Sequence, residues 1–204
     1  MTRIAKPPEG LCRPYAPERF EYRIWGAAFP GLPDPAEAVE SAEVYLLPEQ
    51  DGLNVKLRRG ALEIKRLVGE RAGLQRWLPA LRCLLPLPAR VVAQELCPAL
   101  GVAAPPLARR HYDRAALLAE IAPALAGVRT LQLCKQRHQF DVSGARAERA
   151  RVRIGEVTLE SVAVEAERFG KAAQATEELA LRRLPNLDYV VALRRILEGW
   201  RPEA

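Results

Sequence analysis

Lys56, Arg58, Glu63 and Lys65 are the residues whose spacing could do chemistry. They lie on two short runs, Leu53-Asn54-Val55-Lys56-Leu57-Arg58 and Ala61-Leu62-Glu63-Ile64-Lys65-Arg66-Leu67, which meet at Arg59-Gly60. Apolar and charged residues alternate along both. Strand side chains point to opposite sides in turn, so the pattern predicts a hairpin with one apolar face and one charged face. The same parity recurs. Arg19, Glu21 and Arg23 oppose Phe20, Tyr22 and Ile24; Lys135 and Arg137 share a face with Leu131 and Leu133; Glu165 and Glu167 point the same way. A charged face on an antiparallel sheet is commonly the solvated one. Faces that converge would instead make a charged interior with room for an anion.

These groups need a scaffold of strands. The first runs over Arg19–Trp25 and the second over Glu43–Leu47, followed by the hairpin. The character changes after Gly69. Leu74–Leu85, Ala89–Leu100 and Arg114–Ala126 read as helices, the last with Asp113 as N-cap and a stripe of Leu117, Leu118, Ile121 and Leu125. Strands return at Val128, again over Glu148–Ile154 after a turn at Gly144, and over Val157–Glu167 after the tight turn at Gly155-Glu156. Two amphipathic helices, Lys171–Leu184 and Leu187–Gly199, are parted by Pro185, with Tyr189 and Trp200 packing them on the strands. Residues 1–17 are a proline- and glycine-rich lead-in, and 18–204 read as one domain with a helical insertion at about 72–126.

The formal net charge is +6, which favours an anionic partner without choosing between nucleic acid, phosphates and an acidic protein. Aromatic residues make up only 6% of the chain, little for stacking on exposed bases. Arg149, Arg151 and Arg153 form a basic stripe, read here as a solvated wall. No stretch has the length of a membrane span, and nothing at the N-terminus reads as a signal peptide, so a cytoplasmic protein is expected. Cys12, Cys83, Cys97 and Cys134 lie far apart, with only His111 and His138 as other soft ligands. That spacing fits reduced thiols rather than zinc.

The order of these pieces resembles the CYTH family, the triphosphate tunnel metalloenzymes. The likeness rests on Glu21-x-Arg23, Val55-Lys56-Leu57-Arg58, Leu62-Glu63-Ile64-Lys65, Lys135-Gln136-Arg137 and Val164-Glu165-Ala166-Glu167. It spans roughly Arg19 to Trp200. The resemblance implies an α+β fold, an eight-stranded antiparallel β-barrel forming a tunnel with helices packed outside. It implies a triphosphate or polyphosphate ligand held by Arg23, Lys56, Arg58, Lys65, Lys135 and Arg137. It also implies Mg2+ or Mn2+ held by Glu21, Glu165 and Glu167, and metal-dependent hydrolysis of the bound triphosphate. The sequence departs from the family pattern at two acidic positions. Arg19 stands where the first glutamate belongs, and Val152 stands near the place of an aspartate, with Glu148 the nearby acid. Glu18 points the wrong way in a regular strand. Glu63 is the candidate substitute carboxylate, or else an internal partner for Arg19.

Gathered on one barrel face, seven cations from Arg19 to Arg137 meet Glu21, Glu63, Glu165 and Glu167, which leaves an excess of three positive charges. Uncompensated buried charge costs several kcal/mol per ion, roughly, unless a counter-ion enters. Three readings stay open. The first is a tunnel that hydrolyses a triphosphate. The second is a catalytically impaired binding or regulatory protein, and the third a nucleic-acid binder using its outer basic face.

Overall fold

Alternation along the strands decides the architecture, because each strand has an inside and an outside to cover. The computed structural model describes residues 12–13, 16–29, 32 and 39–202. Eight strands form the wall: β1 (Arg19–Gly26), β2 (Val39–Leu47), β3 (Leu53–Arg58), β4 (Ala61–Arg71), β5 (Leu74–Leu84), β6 (Arg129–Val142), β7 (Ala145–Ile154) and β8 (Val157–Ala166). They pair antiparallel in the order β5-β1-β8-β7-β6-β2-β3-β4, and β4 pairs back with β5. The sheet is therefore closed. The fold is α+β, an eight-stranded antiparallel barrel with helices on its outer surface. Closure also removes the long unpaired edges that an open sheet would expose.

The hairpin expected at Arg59-Gly60 forms between β3 and β4. Both turn residues take positive φ, 49° and 68°, as a two-residue turn matching strand twist requires. Ser143 and Gly144 do the same between β6 and β7, at 53° and 74°. β7 thus begins at Ala145, three residues before the sequence suggested, and brings Arg146 into the wall.

Leu74–Leu84 is a strand and not the expected helix. Helical structure in this part of the chain starts at Ala89, so the insertion occupies residues 89–124 rather than beginning at about 72. The reason lies in the strand register. Trp77 lines the cavity while Leu81 and Cys83, of the same sequence parity, join the outer layer under the helices, so strict alternation fails across the register shift between them. Pro79 sits where the β4–β5 register shifts, opposite Lys65, a bulge position that tolerates a missing N–H.

Two apolar layers hold the helices outside. Residues 89–100 (α1) and 114–124 (α2) lay Val92, Leu96, Leu117 and Ile121 on Val44, Leu46, Val55, Leu57, Leu62 and Ile64. Asp113 caps α2, its carboxylate accepting from the Ala116 N–H at 2.8 Å. On the opposite wall α3 (Phe169–Glu178) packs Ala172 and Ala175 against Tyr22, Ile24, Val162 and Val164. Each fully buried aliphatic side chain in these layers contributes about 1.5–3 kcal/mol.

The third apolar cluster lies inside the barrel. β1 pairs with β5 only over Arg19–Glu21, and beyond that point the two strands part. Residues 186–189 fill the gap. Asn186 accepts from the Arg23 N–H at 2.8 Å, and the Leu187 N–H donates to the Arg23 carbonyl at 2.8 Å. Asp188 then caps α4 (Tyr189–Leu197), accepting from the Val190 and Val191 N–H groups. Tyr189, Val190, Leu193 and Ile196 meet Trp25, Tyr45, Leu47, Leu133, Val152 and Leu159 within one end of the barrel. That end is filled. Val152 is part of the filling and fully buried.

Most of the lead-in, residues 1–17, falls outside the described residues. Cys12 and Arg13 pair with Cys83 and Arg82 on β5. Cys83 is disulfide-bonded, which corrects the expectation of four reduced thiols, while Cys97 and Cys134 are free. Among the described residues no helix is long and apolar enough to cross a membrane.

Candidate functional site

The other end of the barrel holds a cavity of about 620 Å³, inside the range of roughly 300–1,000 Å³ typical of small-molecule sites. Strand parity brings Glu21 and Arg23 from β1, Asn54, Lys56 and Arg58 from β3, Lys65 from β4, Lys135 and Arg137 from β6, Arg146 and Glu148 from β7, and Glu165 from β8 onto its walls. All six predicted basic residues are gathered there. So are Glu21 and Glu165, which face each other across β1 and β8. Glu167 lies past the end of β8 with its side chain 59% exposed, outside the cavity lining, and reaches only Arg19 at 3.9 Å. Glu18 points outward, as expected, and pairs with Arg76 at 3.5 Å.

At the floor the apolar filling meets the charged walls. Lys135 donates to the Tyr45 hydroxyl at 2.8 Å, and its Nζ lies 3.0 Å from Glu43 and 3.5 Å from the centre of the Tyr189 ring. Burial drives its pKa down to about 8, against the pull of Glu43. Lys56 is also pushed well below its ordinary value by burial. Glu43 is fully buried between Lys56, Lys135 and Arg58. Burial alone would raise its pKa, but the three cations outweigh that and hold the carboxylate well below its usual range. Arg23 lies over the same Tyr189 ring and donates to Ser161 and Glu21, at 3.1 and 2.9 Å.

Higher up, the acids are held by arginines. Burial works against ionised Glu21, yet Arg23 and Lys65 win and keep its pKa low. Glu148 is held low in the same way by Arg23, Lys135 and Arg137, its carboxylate 3.7 Å from Arg23 and 3.8 Å from Arg137. Glu165 meets both Arg19, at 3.5 Å, and Arg146. Glu63 pairs with Arg58 at 2.7 Å and Arg82 at 3.6 Å. It is therefore an internal partner, but of those two residues and not of Arg19.

Some basic groups have less to hold. Arg137 is 7% exposed, and among the described residues its one ion pair is the long contact to Glu148 and its Nε has no hydrogen-bond partner. Arg58 Nε likewise has no hydrogen-bond partner among them, nor do two acceptors, Asn54 Oδ1 and Glu43 Oε2. Lys65 has no ion pair within 4.0 Å among the described residues, and burial lowers its pKa. Donors without acceptors around an enclosed space are what an anion site requires, since a buried polar group is normally satisfied.

The carboxylates are a poor fit for a divalent metal. Mg2+ asks for near-octahedral oxygen ligands at about 2.0–2.1 Å. Among the described residues no three acid, histidine or cysteine side chains converge on one point. Glu21 and Glu165 each already face a guanidinium.

Glu43, Arg146 and the roles of Tyr45 and Tyr189 were missed from the sequence. Glu43 shares parity with Tyr45 and Leu47, and Arg146 with Glu148, Ala150 and Val152, so the signal was present. Arg146 was hidden by a strand drawn from Glu148, and Glu43 because it is the lone charge on a strand whose other inward residues are Tyr45 and Leu47. His138, beside the cavity, stacks on Phe140 with ring centres 5.7 Å apart.

No family model matches the chain, and no curated protein matches it. Solved structures do resemble it in shape. A candidate adenylate cyclase from Bacillus halodurans aligns at 9% identity over 88% of this chain and 98% of its own, with a TM-score of 0.47. A candidate adenylyl cyclase from Hippeastrum, described as having a dominant triphosphatase activity, aligns at 13% identity over 90% and 96%, with a TM-score of 0.44. A Pyrococcus horikoshii OT3 protein aligns at 14% identity over 88% and 99%, with a TM-score of 0.43. At such scores the likeness carries no weight for chemistry.

Proposed function

We propose that the barrel cavity binds the triphosphate portion of a small polyanion, such as inorganic triphosphate or a short polyphosphate. The observation that carries this reading is the under-satisfied basic wall: among the described residues buried Arg137 has a lone Nε and one long ion pair, and Lys65 on the same cavity lining has none. Eight basic side chains line the space against four carboxylates, and Glu43 and Glu63 behind them still leave the cations in excess. A linear polyphosphate presents oxygens along its length, so several separated donors can each find one. Guanidinium groups hold such oxygens in charge-assisted, bidentate pairs.

Hydrolysis of the bound chain with Mg2+ or Mn2+ is the finer reading. The juxtaposition of Glu21 and Glu165 favours it, and the arginine partners of both weigh against it. A catalytically impaired binding protein is the second reading, favoured by those same ion pairs. Calorimetric titration with inorganic triphosphate tests binding, and a result indistinguishable from buffer would refute it. A phosphate-release assay with Mg2+, Mn2+ or chelator separates hydrolase from binder. Release that depends on added metal establishes the first, and saturable binding without release establishes the second.

A further inference from the structure

At the mouth of the cavity, arginines hold the carboxylates that would otherwise hold a cation. Glu165 lies between Arg19 and Arg146, Glu21 against Arg23, and Glu148 between Arg23 and Arg137. Arg19 also extends a second nitrogen toward Glu167. We infer that this site binds its polyanion without a divalent metal, the guanidinium groups of Arg23, Arg137 and Arg146 on the cavity wall supplying the positive charge in its place, while Arg19 holds Glu165 from outside the lining. The inference rests on the polyphosphate reading above and adds to it a statement about which charges do the neutralising.

Three features of the chain support it. First, the acids do not converge: among the described residues no cluster of three is present. Second, the arginines are permanent cations with several donors each, and they are already in position. A metal entering beside Glu165 would have to displace Arg19 and Arg146 and then remain next to their charge. Third, the unpartnered Nε atoms of Arg58 and Arg137, both on the cavity lining, are donors that the neighbouring acids leave free. A phosphate oxygen can take those donors directly. Mg2+ bound to the free ligand would instead occupy the oxygens the arginines need, so metal should compete with the protein for its ligand.

The test uses the intact chain with inorganic triphosphate and with Mn2+ alone. Calorimetry in chelator should give a Kd equal to or tighter than that in excess Mg2+. Mn2+ alone should show no saturable binding by electron paramagnetic resonance. Binding of triphosphate about tenfold or more weaker in chelator overturns the inference while leaving the polyphosphate reading intact. Saturable binding of Mn2+ to the free protein also overturns it. Absence of triphosphate binding in both buffers removes the underlying reading and this one with it. The variant Arg19→Glu provides a second measurement. Adding a carboxylate beside Glu21 and Glu165 while freeing Glu165 of one partner should create Mn2+ binding where there was none. A folded Arg19→Glu protein that still ignores Mn2+ would show that Arg19 is not what keeps the cation out.

Discussion

Glu43 and Arg137 share the barrel interior but carry opposite liabilities. Glu43 is fully buried and faces three cations. Glu43→Gln would leave those cations uncompensated, at a cost of about 3–5 kcal/mol. In a chain of this size that lowers Tm by roughly 6–20 °C. Arg137 has only a 3.8 Å contact to Glu148 and a lone Nε. Arg137→Gln should leave the ligand-free Tm unchanged or raised, and should weaken triphosphate binding by roughly 10–100-fold, the worth of a charged hydrogen bond. Thermal scans and titrations on both variants check this. An Arg137→Gln protein as unstable as Glu43→Gln would make Arg137 structural. Lys135 adds a pH dependence. Its folded pKa, about 8, lies below the ordinary value of 10.5. Below about 8 both folded and unfolded chains keep the proton and the full cost of burying the ammonium is felt. Between about 8 and 10.5 only the unfolded chain still binds it, so this lysine's contribution to stability becomes more favourable as pH rises through that window. Triphosphate affinity should fall over the same window, because a cation is lost from the site. Urea titrations of wild type and Lys135→Met across it would show a slope in the first that is reduced in the second.

The gap between β1 and β5 is closed by a loop rather than by a strand, and Asn186 makes that closure. Its side chain accepts from the Arg23 N–H and donates to the carbonyls of Glu21, at 3.2 Å, and Gly73, at 2.8 Å. Asn186→Ala removes three hydrogen bonds worth about 0.5–1.5 kcal/mol each, so a loss of roughly 1.5–4.5 kcal/mol is expected. It should also loosen Tyr189 at the cavity floor, and so weaken triphosphate binding although Asn186 touches no ligand. A thermal scan showing less than about 2 °C of change would mean that the gap is held by other contacts. Nothing in the sequence marks this loop, because a strand gap exists only once the barrel has closed. Strand parity, by contrast, was legible wherever one face was charged: Lys56 and Arg58, Lys135 and Arg137, Glu21 and Arg23 needed only the two-residue period. Leu74–Leu84 was not, since the bulge at Pro79 puts Trp77 and Leu81 on opposite faces and breaks the two-residue period. Tyr189 sat on an apolar helix stripe, and a stripe says nothing of whether it packs outside a barrel or within one.

For the molecule as a whole, what matters is where the positive excess can be used. Of the outer stripe expected at Arg149, Arg151 and Arg153, the first two are tied to Glu160, at 3.0 and 3.4 Å, and Arg153 has no ion pair among the described residues; Arg109 and Arg129 pair with Glu120 and Glu198. A duplex cannot enter a cavity of about 620 Å³, and on the outer wall Arg149 and Arg151 already hold Glu160. Inorganic triphosphate can enter. At a hundred times its Kd a ligand that binds only the folded chain adds about 2.7 kcal/mol, which raises Tm by roughly 5–11 °C. Orthophosphate spans fewer of the donors and should give a much smaller shift at the same concentration. Duplex DNA at physiological salt should give neither a Tm rise nor a mobility shift. If DNA shifts the protein with a steep salt dependence while triphosphate leaves Tm where it was, the usable charge lies on the outer wall. In that case the cavity's arginines serve only to hold its glutamates.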